Sequence, residues 1–361
     1  MIRPWILCLP ILLVFAGDLR AIEAGKTISI ELRNARVEGM PLAADEQQIL
    51  LLGREGKLWK FKPSEVTKFS SPQPGFRSYS IGEMRSQLVK EFGTHYDMTG
   101  TGHFLVVHPA GQRDRWAERF EEVYRSFVHY YTARGFSLEQ PKFLLVAVVL
   151  PTQEDFQRYA RNDGLFASPG VLGYYSQESN RISLYDVTAG RSSNVPWQTN
   201  ADTIIHEVAH QVAFNTGVHK RFAVTPKWII EGLGTMFEAP GVWDAAKHPQ
   251  LRDRLNLSRL RDFQQYSAKR RRKGSLAEFV SSDRAFDISP SDAYAEAWAL
   301  SFYLCETQPR KYSAYMKKMA ALEPFRRYEG PQRLQDFLEA FGPNLGLLES
   351  QYVKYVCDLK L

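Results

Sequence analysis

The stretch HEVAHQVAFNTGVHKRFAVTPKWIIEGLGTMFE, residues 206–238, carries most of the information in this chain. It places two histidines and a glutamate within five residues, and a further glutamate in the segment WIIEGLG. In an α-helix of about 3.6 residues per turn, His206 and His210 stack on one face. The apolar residues then fall on the opposite face: Ile204, Ile205, Val208 and Val212. The helix is therefore predicted to bury its apolar side and to turn both histidines towards a site.

Local signals mark the ends of this site helix. Thr199 and Asp202 form a weak capping box before the apolar run, and Gly217 suits a C-cap. The site helix is therefore predicted over residues 199–216.

A second helix is predicted over residues 226–238. Thr225 is expected to be its N-cap, with Pro226 at the first helical position and Glu231 one turn further on. Gly232 and Gly234 each cost about 1 kcal/mol relative to alanine inside a helix. A close approach of this helix to the site helix would explain both glycines.

Zinc needs such an arrangement. Two imidazole nitrogens one helical turn apart can occupy adjacent corners of a tetrahedron, and a third protein ligand leaves the fourth corner for water. A carboxylate beside the first histidine, here Glu207, can accept that water's proton.

Simpler interpretations remain open at this point. The histidines and Glu207 would otherwise be a solvated helix face with an ion pair, which leaves Glu231 and the glycines unexplained. Glu231 would otherwise be a surface glutamate, with Glu238 as the alternative ligand. The remaining histidines have no partner spacing and are interpreted as structural: His95, His103, His108, His129, His219 and His248.

The composition is typical of a folded globular protein. The 361 residues are 44% hydrophobic and 24% charged, with a formal net charge of +6. The basic residues are scattered, apart from the run at 269–273, which is most simply an exposed loop. We therefore expect no nucleic-acid partner.

The N-terminus has the pattern of a secretory signal peptide. Arg3 precedes a twelve-residue apolar run from Trp5 to Ala16, which is too short to span a bilayer and contains Pro10. Small residues follow, so a signal peptide is predicted at residues 1–24. No later apolar run is long enough to span a membrane. The mature chain is expected to be secreted or periplasmic.

Removal of this segment leaves two cysteines, Cys305 and Cys357. In an oxidising compartment they could pair, and their spacing does not decide whether they meet. Neither has the spacing of a metal ligand.

The chain divides into a β-rich start and a longer α+β remainder. Short β-type runs over residues 27–70, with a hairpin signal at Arg54–Gly56, predict a small all-β, SH3-like module at residues 25–75. Residues 103–109 and 142–151 are predicted strands, residues 116–133 a helix, and residues 173–187 a hairpin. From Thr199 onward the pattern is helical. The second domain, residues 76–361, is therefore predicted to have a mixed-sheet half and a helical C-terminal half.

HEVAH followed by WIIEGLG resembles the gluzincin metallopeptidases. The segments FVHYYTARGF, GYYSQESNRISLYD and YAEAWAL are similar to a poorly characterised bacterial branch of the peptidase-MA-like proteins, over most of residues 100–355. The resemblance implies a zincin-like fold with one Zn²⁺ per chain. It implies His206, His210 and Glu231 as ligands and Glu207 as general base.

The sequence departs from the resemblance at one position. Thermolysin-like members carry an acidic residue four positions after the third ligand, where this chain has Thr235. Support for the ligands is therefore expected from Glu238 or Asp202, and the sequence does not decide between them.

Two further expectations rest partly on the resemblance. Tyr294, 63 positions after Glu231, is predicted to donate a hydrogen bond to the developing oxyanion, with Tyr175 as its rival. The alternating run Asn180–Asp186 is predicted to be the edge strand above the site, where an extended substrate would add as a further strand.

The function expected from the sequence is hydrolysis of a peptide or protein substrate by zinc-activated water, with a glutamate as base. One alternative is a catalytically silent peptidase fold kept for binding, because the β-module could serve recognition. Another is a zinc amidase that acts on cell-wall peptides.

Overall fold

Two five-stranded sheets and a helical second half make up the protein, which confirms the predicted α+β class. The structure is a computed structural model, and it describes residues 26–33, 35–70, 75–112, 116–166, 170–188 and 196–360. The predicted signal peptide at residues 1–24 lies outside the described residues.

The first sheet is antiparallel, with strand order β4-β3-β2-β1-β5. Its strands are β1 (Ile28–Leu32), β2 (Arg36–Ala44), β3 (Ile49–Gly53), β4 (Leu58–Phe61) and β5 (Val66–Phe69). Ile28 and Ile30 are buried, because alternate side chains of a strand point to the same face. The predicted hairpin is confirmed: β3 and β4 pair across a turn in which Gly56 has a φ of +92°.

The second sheet is mixed, with strand order β6-β7-β8-β10-β9. Its strands are β6 (Tyr96–Gly100), β7 (Phe104–Pro109), β8 (Leu145–Leu150), β9 (Gly173–Ser176) and β10 (Arg181–Tyr185). Strands β7, β8 and β10 run parallel, and the two outer strands run antiparallel to their neighbours.

The prediction that Asn180–Asp186 forms the edge strand is wrong. This run contains β10, which lies between β8 and β9. The edge strand on this side of the sheet is β9. Burial on both faces explains the error, because Ile182, Ser183 and Leu184 are all fully buried in β10.

Helices cover both faces of the second sheet, which explains its continuous apolar strands. They are α1 (Ile81–Phe92), α2 (Ala117–Ala133) and α3 (Gln153–Asn162). Met84 and Phe156, from α1 and α3, pack on the face that includes Val107. On the opposite face, Val106 packs in the cluster that contains the buried side of α2.

The second half of the chain is helical in its described residues. Its helices are α4 (Trp197–Asn215), α5 (Lys227–Phe237), α6 (Pro240–Trp243), α7 (Leu257–Lys269), α8 (Leu276–Ser281), α9 (Ala285–Ile288), α10 (Pro290–Thr307), α11 (Pro309–Ala320), α12 (Gly330–Phe341) and α13 (Leu345–Cys357). Helix α5 packs against both α4 and α10. Within the described part of the chain, no helix has the length and apolarity needed to cross a membrane.

The two helices of the motif are confirmed, with shifted starts. Helix α4 begins after Pro196, so Thr199 lies inside the first turn and does not cap it. Helix α5 begins after Pro226, one residue later than predicted. The N–H of Lys227 donates to Asp283 Oδ1 at 2.9 Å, so a carboxylate distant in sequence caps this helix instead of Thr225.

The two remaining cysteines do not pair. Cys305 is buried on α10, with its sulfur 3.4 Å from the Tyr130 hydroxyl, and Cys357 is exposed at the end of α13. Both are free thiols.

Candidate metal centre

Helix α4 presents the two motif histidines as the spacing predicts. Its apolar side is fully buried at Ile204, Ile205, Val208 and Val212. His206 and His210 lie on the other side, with their rings nearly perpendicular and their centroids 4.6 Å apart. The core therefore anchors the backbone of α4 and leaves both imidazoles facing α5.

Helix α5 brings Glu231 to these histidines. Glu231 Oε2 lies 3.5 Å from His206 Nε2 and 3.6 Å from His210 Nε2, and the two nitrogens are 3.0 Å apart. Burial opposes ionisation of Glu231, but the two adjacent histidines outweigh it and hold its pKa well below the ordinary value.

The three atoms have the spacing of zinc ligands. Ligand atoms about 2.0–2.1 Å from a tetrahedral zinc ion lie roughly 3.3 Å from one another. The measured separations of 3.0, 3.5 and 3.6 Å bracket that value. Glu231 Oε2 is buried and has no hydrogen-bond partner among the described residues, as expected of an atom reserved for a metal. The residues present therefore fit a zinc ion, and His206, His210 and Glu231 form a candidate metal site.

Gly234 explains how α5 can approach so closely. A Cβ atom at this position would lie 2.8 Å from Cε1 of both His206 and His210. Gly232 has a different reason, because its Cβ would clash with Ser301 Oγ and lie 2.8 Å from the Ala297 carbonyl, both on α10. The expectation that both glycines serve the approach to the site helix is therefore correct only for Gly234.

A second layer of side chains orients His206. Glu238 Oε1 lies 2.8 Å from His206 Nδ1, and Glu238 Oε2 accepts from Asn256 Nδ2 at 2.6 Å. Of the two support residues considered, Glu238 makes this contact. Thr235, at the position of the acidic residue in thermolysin-like members, donates its hydroxyl to the Glu231 carbonyl at 2.6 Å and so serves the helix backbone.

Glu207 lies beside the three candidate ligand atoms and is not itself one of the candidate ligands. It is 9% exposed, and burial raises its pKa above the ordinary value. The backbone N–H of Tyr175 on edge strand β9 partly opposes this rise in pKa, which indicates that β9 lies next to the Glu207 carboxylate.

The two tyrosines considered as donors have different surroundings. The Tyr294 pKa is raised, first by burial and then by the carboxylates of Glu231 and Glu207, so its hydroxyl faces the candidate metal centre. The Tyr175 hydroxyl donates to Asn180 Oδ1 at 2.8 Å. The Glu231 and Glu207 carboxylates therefore lie near Tyr294, whereas the Tyr175 hydroxyl is hydrogen-bonded to Asn180; the role of Tyr294 as a donor stays a prediction.

The remaining histidines contribute no ligand to the three-residue site. His108 is buried and contacts Thr99, and His103 pairs with Glu121. His219 packs against Phe214 with both ring nitrogens buried, and burial lowers its pKa to about 3.

Sequence reasoning missed two residues near the site, Asn256 and Arg259. Asn256 caps α7 through its side-chain oxygen and holds Glu238 through its side-chain nitrogen. Arg259, one turn later, has its guanidinium carbon 5.4 Å from the centre of the Tyr294 ring. An Asn before a helical pattern signals a cap, but nothing in the local sequence directs either side chain to residues 238 and 294.

Comparison with known proteins gives one family match. A family model described as "Protein of unknown function (DUF1570)" matches residues 200–326, which include most of α4 and all of α5. No curated protein matches the chain.

Solved structures give weak similarity at low identity. An M1 zinc metallopeptidase from Deinococcus radiodurans has 14% identity and a TM-score of 0.40, with 72% of this chain and 50% of that chain covered. A mutant of the M1 zinc metallopeptidase from the same organism, bound to a Tyr-Ser-Ala substrate, has 14% identity and a TM-score of 0.39, with 72% of this chain and 50% of that chain covered. This chain therefore spans about half the length of these structures.

Proposed function

We propose that the protein is a zinc-dependent peptidase of the gluzincin type that acts outside the cytoplasm. The observation that carries the proposal is the triangle of His206 Nε2, His210 Nε2 and Glu231 Oε2, with sides of 3.0, 3.5 and 3.6 Å. Three such atoms hold one zinc ion and leave a fourth tetrahedral position free, which is the coordination of catalytic zinc.

Glu207 is the proposed general base. Zinc, when bound, lowers the pKa of water and polarises a carbonyl. The buried Glu207 carboxylate accepts a proton from the attacking water and returns it to the leaving amine. Its raised pKa supports both steps, because a base that also returns its proton works best with a pKa near the working pH.

Tyr294 is the proposed donor to the oxyanion that develops at the scissile carbonyl. A neutral hydroxyl next to the Glu231 and Glu207 carboxylates can donate a hydrogen bond without adding charge to the resting site. Its location on α10, a different helix from those of the ligands, lets it approach the substrate from another side.

The location and substrate follow from the sequence. The N-terminal pattern supports export through a signal peptide at residues 1–24, and a peptide or protein substrate fits a site beside an edge strand. We propose that the mature protein is secreted or periplasmic.

The test is Glu207→Gln in the full chain. This variant keeps the size of the side chain but removes its basicity, so we expect bound zinc to remain and turnover of a peptide library to fall at least ~100-fold. Zinc content is measured by atomic spectroscopy and cleavage by mass spectrometry. Glu118→Gln, at an exposed position on α2, is the matched control and should retain full activity.

The outcomes separate the proposal from its alternatives. A zinc-loaded Glu207→Gln protein with undiminished turnover would contradict the mechanism. A wild-type protein that binds zinc and peptides but cleaves none would favour the binding alternative. Cleavage confined to amide bonds of cell-wall peptides would favour the amidase.

A further inference from the structure

Arg259, on helix α7, lies beside the candidate metal centre. It lies one turn after Asn256, whose side chain holds Glu238, and its guanidinium lies 5.4 Å from the centre of the Tyr294 ring. The side chain is 26% exposed, so part of it can be reached from solvent.

The guanidinium of Arg259 lacks a close anionic partner among the described residues. Its nearest carboxylate contact is 3.9 Å, between Nη1 and Asp262 Oδ2, which is too long for a hydrogen bond. Its Nε is buried and has no hydrogen-bond acceptor in the part of the chain that the structure describes. The Glu238 oxygens are already engaged by His206 and Asn256 at 2.8 and 2.6 Å.

Two other arginines of the helical half, Arg254 and Arg271, are paired with carboxylates. Arg254, which is 29% exposed, binds both oxygens of Glu306 at 3.1 and 2.7 Å. Arg271 binds Glu296 and Glu349. A guanidinium has five N–H donors in a planar fork, and its burial is favourable when a carboxylate fills that fork. Arg259 has the same degree of burial as Arg254 without the carboxylate.

We propose that Arg259 binds a carboxylate of a peptide substrate held at the candidate metal centre. The inference rests on the proposed function, because it assumes that a peptide occupies the metal centre. The guanidinium carbon of Arg259 lies over the Tyr294 ring, a cation–π contact that uses none of the N–H donors as a hydrogen bond to a carboxylate would. The carboxylate belongs either to an acidic side chain or to the C-terminus of the peptide.

The test uses the full chain loaded with zinc in two forms. Wild-type protein reports cleavage, and Glu207→Gln reports retention of peptides without cleavage. Each form receives a peptide library with free C-termini and the same library with amidated C-termini, and mass spectrometry identifies the cleaved and retained peptides. Enrichment of Asp or Glu at one fixed position identifies a side-chain carboxylate. If amidated peptides are neither cleaved by the wild type nor retained by Glu207→Gln, the carboxylate is the C-terminal one.

Arg259→Gln should reduce kcat/KM and affinity for carboxylate peptides about 10- to 100-fold relative to matched amide peptides, as expected for loss of a charge-assisted pair. Arg259→Lys should restore part of the preference, because lysine keeps the charge but not the fork. Arg261→Gln, at an exposed position on the same helix, is the matched control and should leave the ratio unchanged.

The results separate this inference from the proposed function. If Arg259→Gln reduces kcat/KM and affinity equally for carboxylate and amide peptides, the assignment is overturned, and Arg259 has a positioning role beside Tyr294. Cleavage without a carboxylate preference would also overturn it, while the peptidase proposal would stand. Retention with a carboxylate preference that depends on Arg259, but without cleavage, would support the carboxylate site and contradict the peptidase.

Discussion

Glu238, which is not one of the three candidate ligands, holds the imidazole ring of His206 in place. A carboxylate on the far ring nitrogen selects the tautomer that offers Nε2 to a metal and increases its basicity. In this protein the contact of 2.8 Å with His206 Nδ1 meets that requirement, and Asn256 holds the second oxygen of the same carboxylate. His210 Nδ1, by contrast, is buried without a partner among the described residues.

Substitution of Glu238 should therefore weaken metal binding without abolishing it. We expect Glu238→Ala to lower zinc affinity about 10- to 100-fold, as loss of an outer carboxylate typically does. Competition with a chromophoric chelator measures the change. Asp202→Ala, at the exposed alternative position on α4, is the control and should bind zinc within a few-fold of wild type. An unchanged affinity in Glu238→Ala would remove Glu238 from the site.

The hydroxyl of Tyr294 can be tested by its removal alone. Tyr294→Phe keeps the ring against Phe286 and Arg259, so we expect stability to be nearly unchanged. If the hydroxyl stabilises the oxyanion, kcat falls ~10- to 1,000-fold. Steady-state kinetics and thermal melting measure the two effects. A normal kcat with a lower melting temperature would assign Tyr294 to the core.

At the scale of elements, α5 is the most constrained helix. It packs between α4 and α10, and its two glycines relieve different contacts. The helical pattern predicted that α5 exists and that its glycines mark close approach. It could not say which neighbour each glycine meets, because that depends on how α5 is rotated between two helices distant in sequence.

The two glycines give a matched pair of substitutions. Gly234→Ala places a methyl group 2.8 Å from both ligand rings, so we expect zinc affinity to fall at least ~10-fold as the rings are displaced. Gly232→Ala places a methyl group 2.8 Å from the Ala297 carbonyl, so we expect a loss of ~1–3 kcal/mol of unfolding free energy with a smaller effect on zinc. Chelator competition and denaturant unfolding measure these quantities. Equal zinc affinities in the two variants would contradict the assigned orientation of α5.

Element boundaries and order were predictable only where the signal was local. The HExxH spacing predicted His206 and His210 together, because a single helix fixes both. The edge position of β9 could not be predicted, because strand order depends on parallel pairing between segments 35 residues apart, as in Ile182 opposite Ala147. The cap of α5 was missed for the same reason, since Asp283 lies 56 residues after Lys227.

At the scale of the whole molecule, the N-terminal sheet is joined to the loops around the candidate site. The Leu58 N–H donates to the Glu178 carbonyl at 2.7 Å, in the turn between β9 and β10. Arg221, in the loop that links α4 to α5, donates from Nη2 to the Gly56 carbonyl at 2.8 Å and from Nε to the Gln177 carbonyl at 3.2 Å. One arginine thus connects the first sheet, the β9–β10 turn and the loop between the two helices of the candidate metal centre. Composition predicted the first sheet but not these contacts, which join residues up to 165 positions apart.

Loss of Arg221 should loosen this junction and spare the metal site. Arg221 is partly buried and donates hydrogen bonds to the Gly56 and Gln177 carbonyls, and burial lowers its pKa. Arg221→Met keeps most of the side-chain length but removes these donors, and each lost charge-assisted hydrogen bond costs about 1–3 kcal/mol. We therefore expect faster hydrogen exchange at the Leu58 amide and across residues 176–180.

Zinc affinity separates a local effect from general unfolding in this variant. The ligands lie on α4 and α5, which are anchored by their own buried faces, so zinc affinity should stay within a few-fold of wild type. Lys220→Met, at the exposed neighbouring position, is the matched control and should leave exchange unchanged. Unaltered exchange at Leu58 in Arg221→Met would show that other contacts hold the first sheet. Loss of zinc together with faster exchange throughout α4 would show instead that Arg221 supports the fold of the metal centre itself.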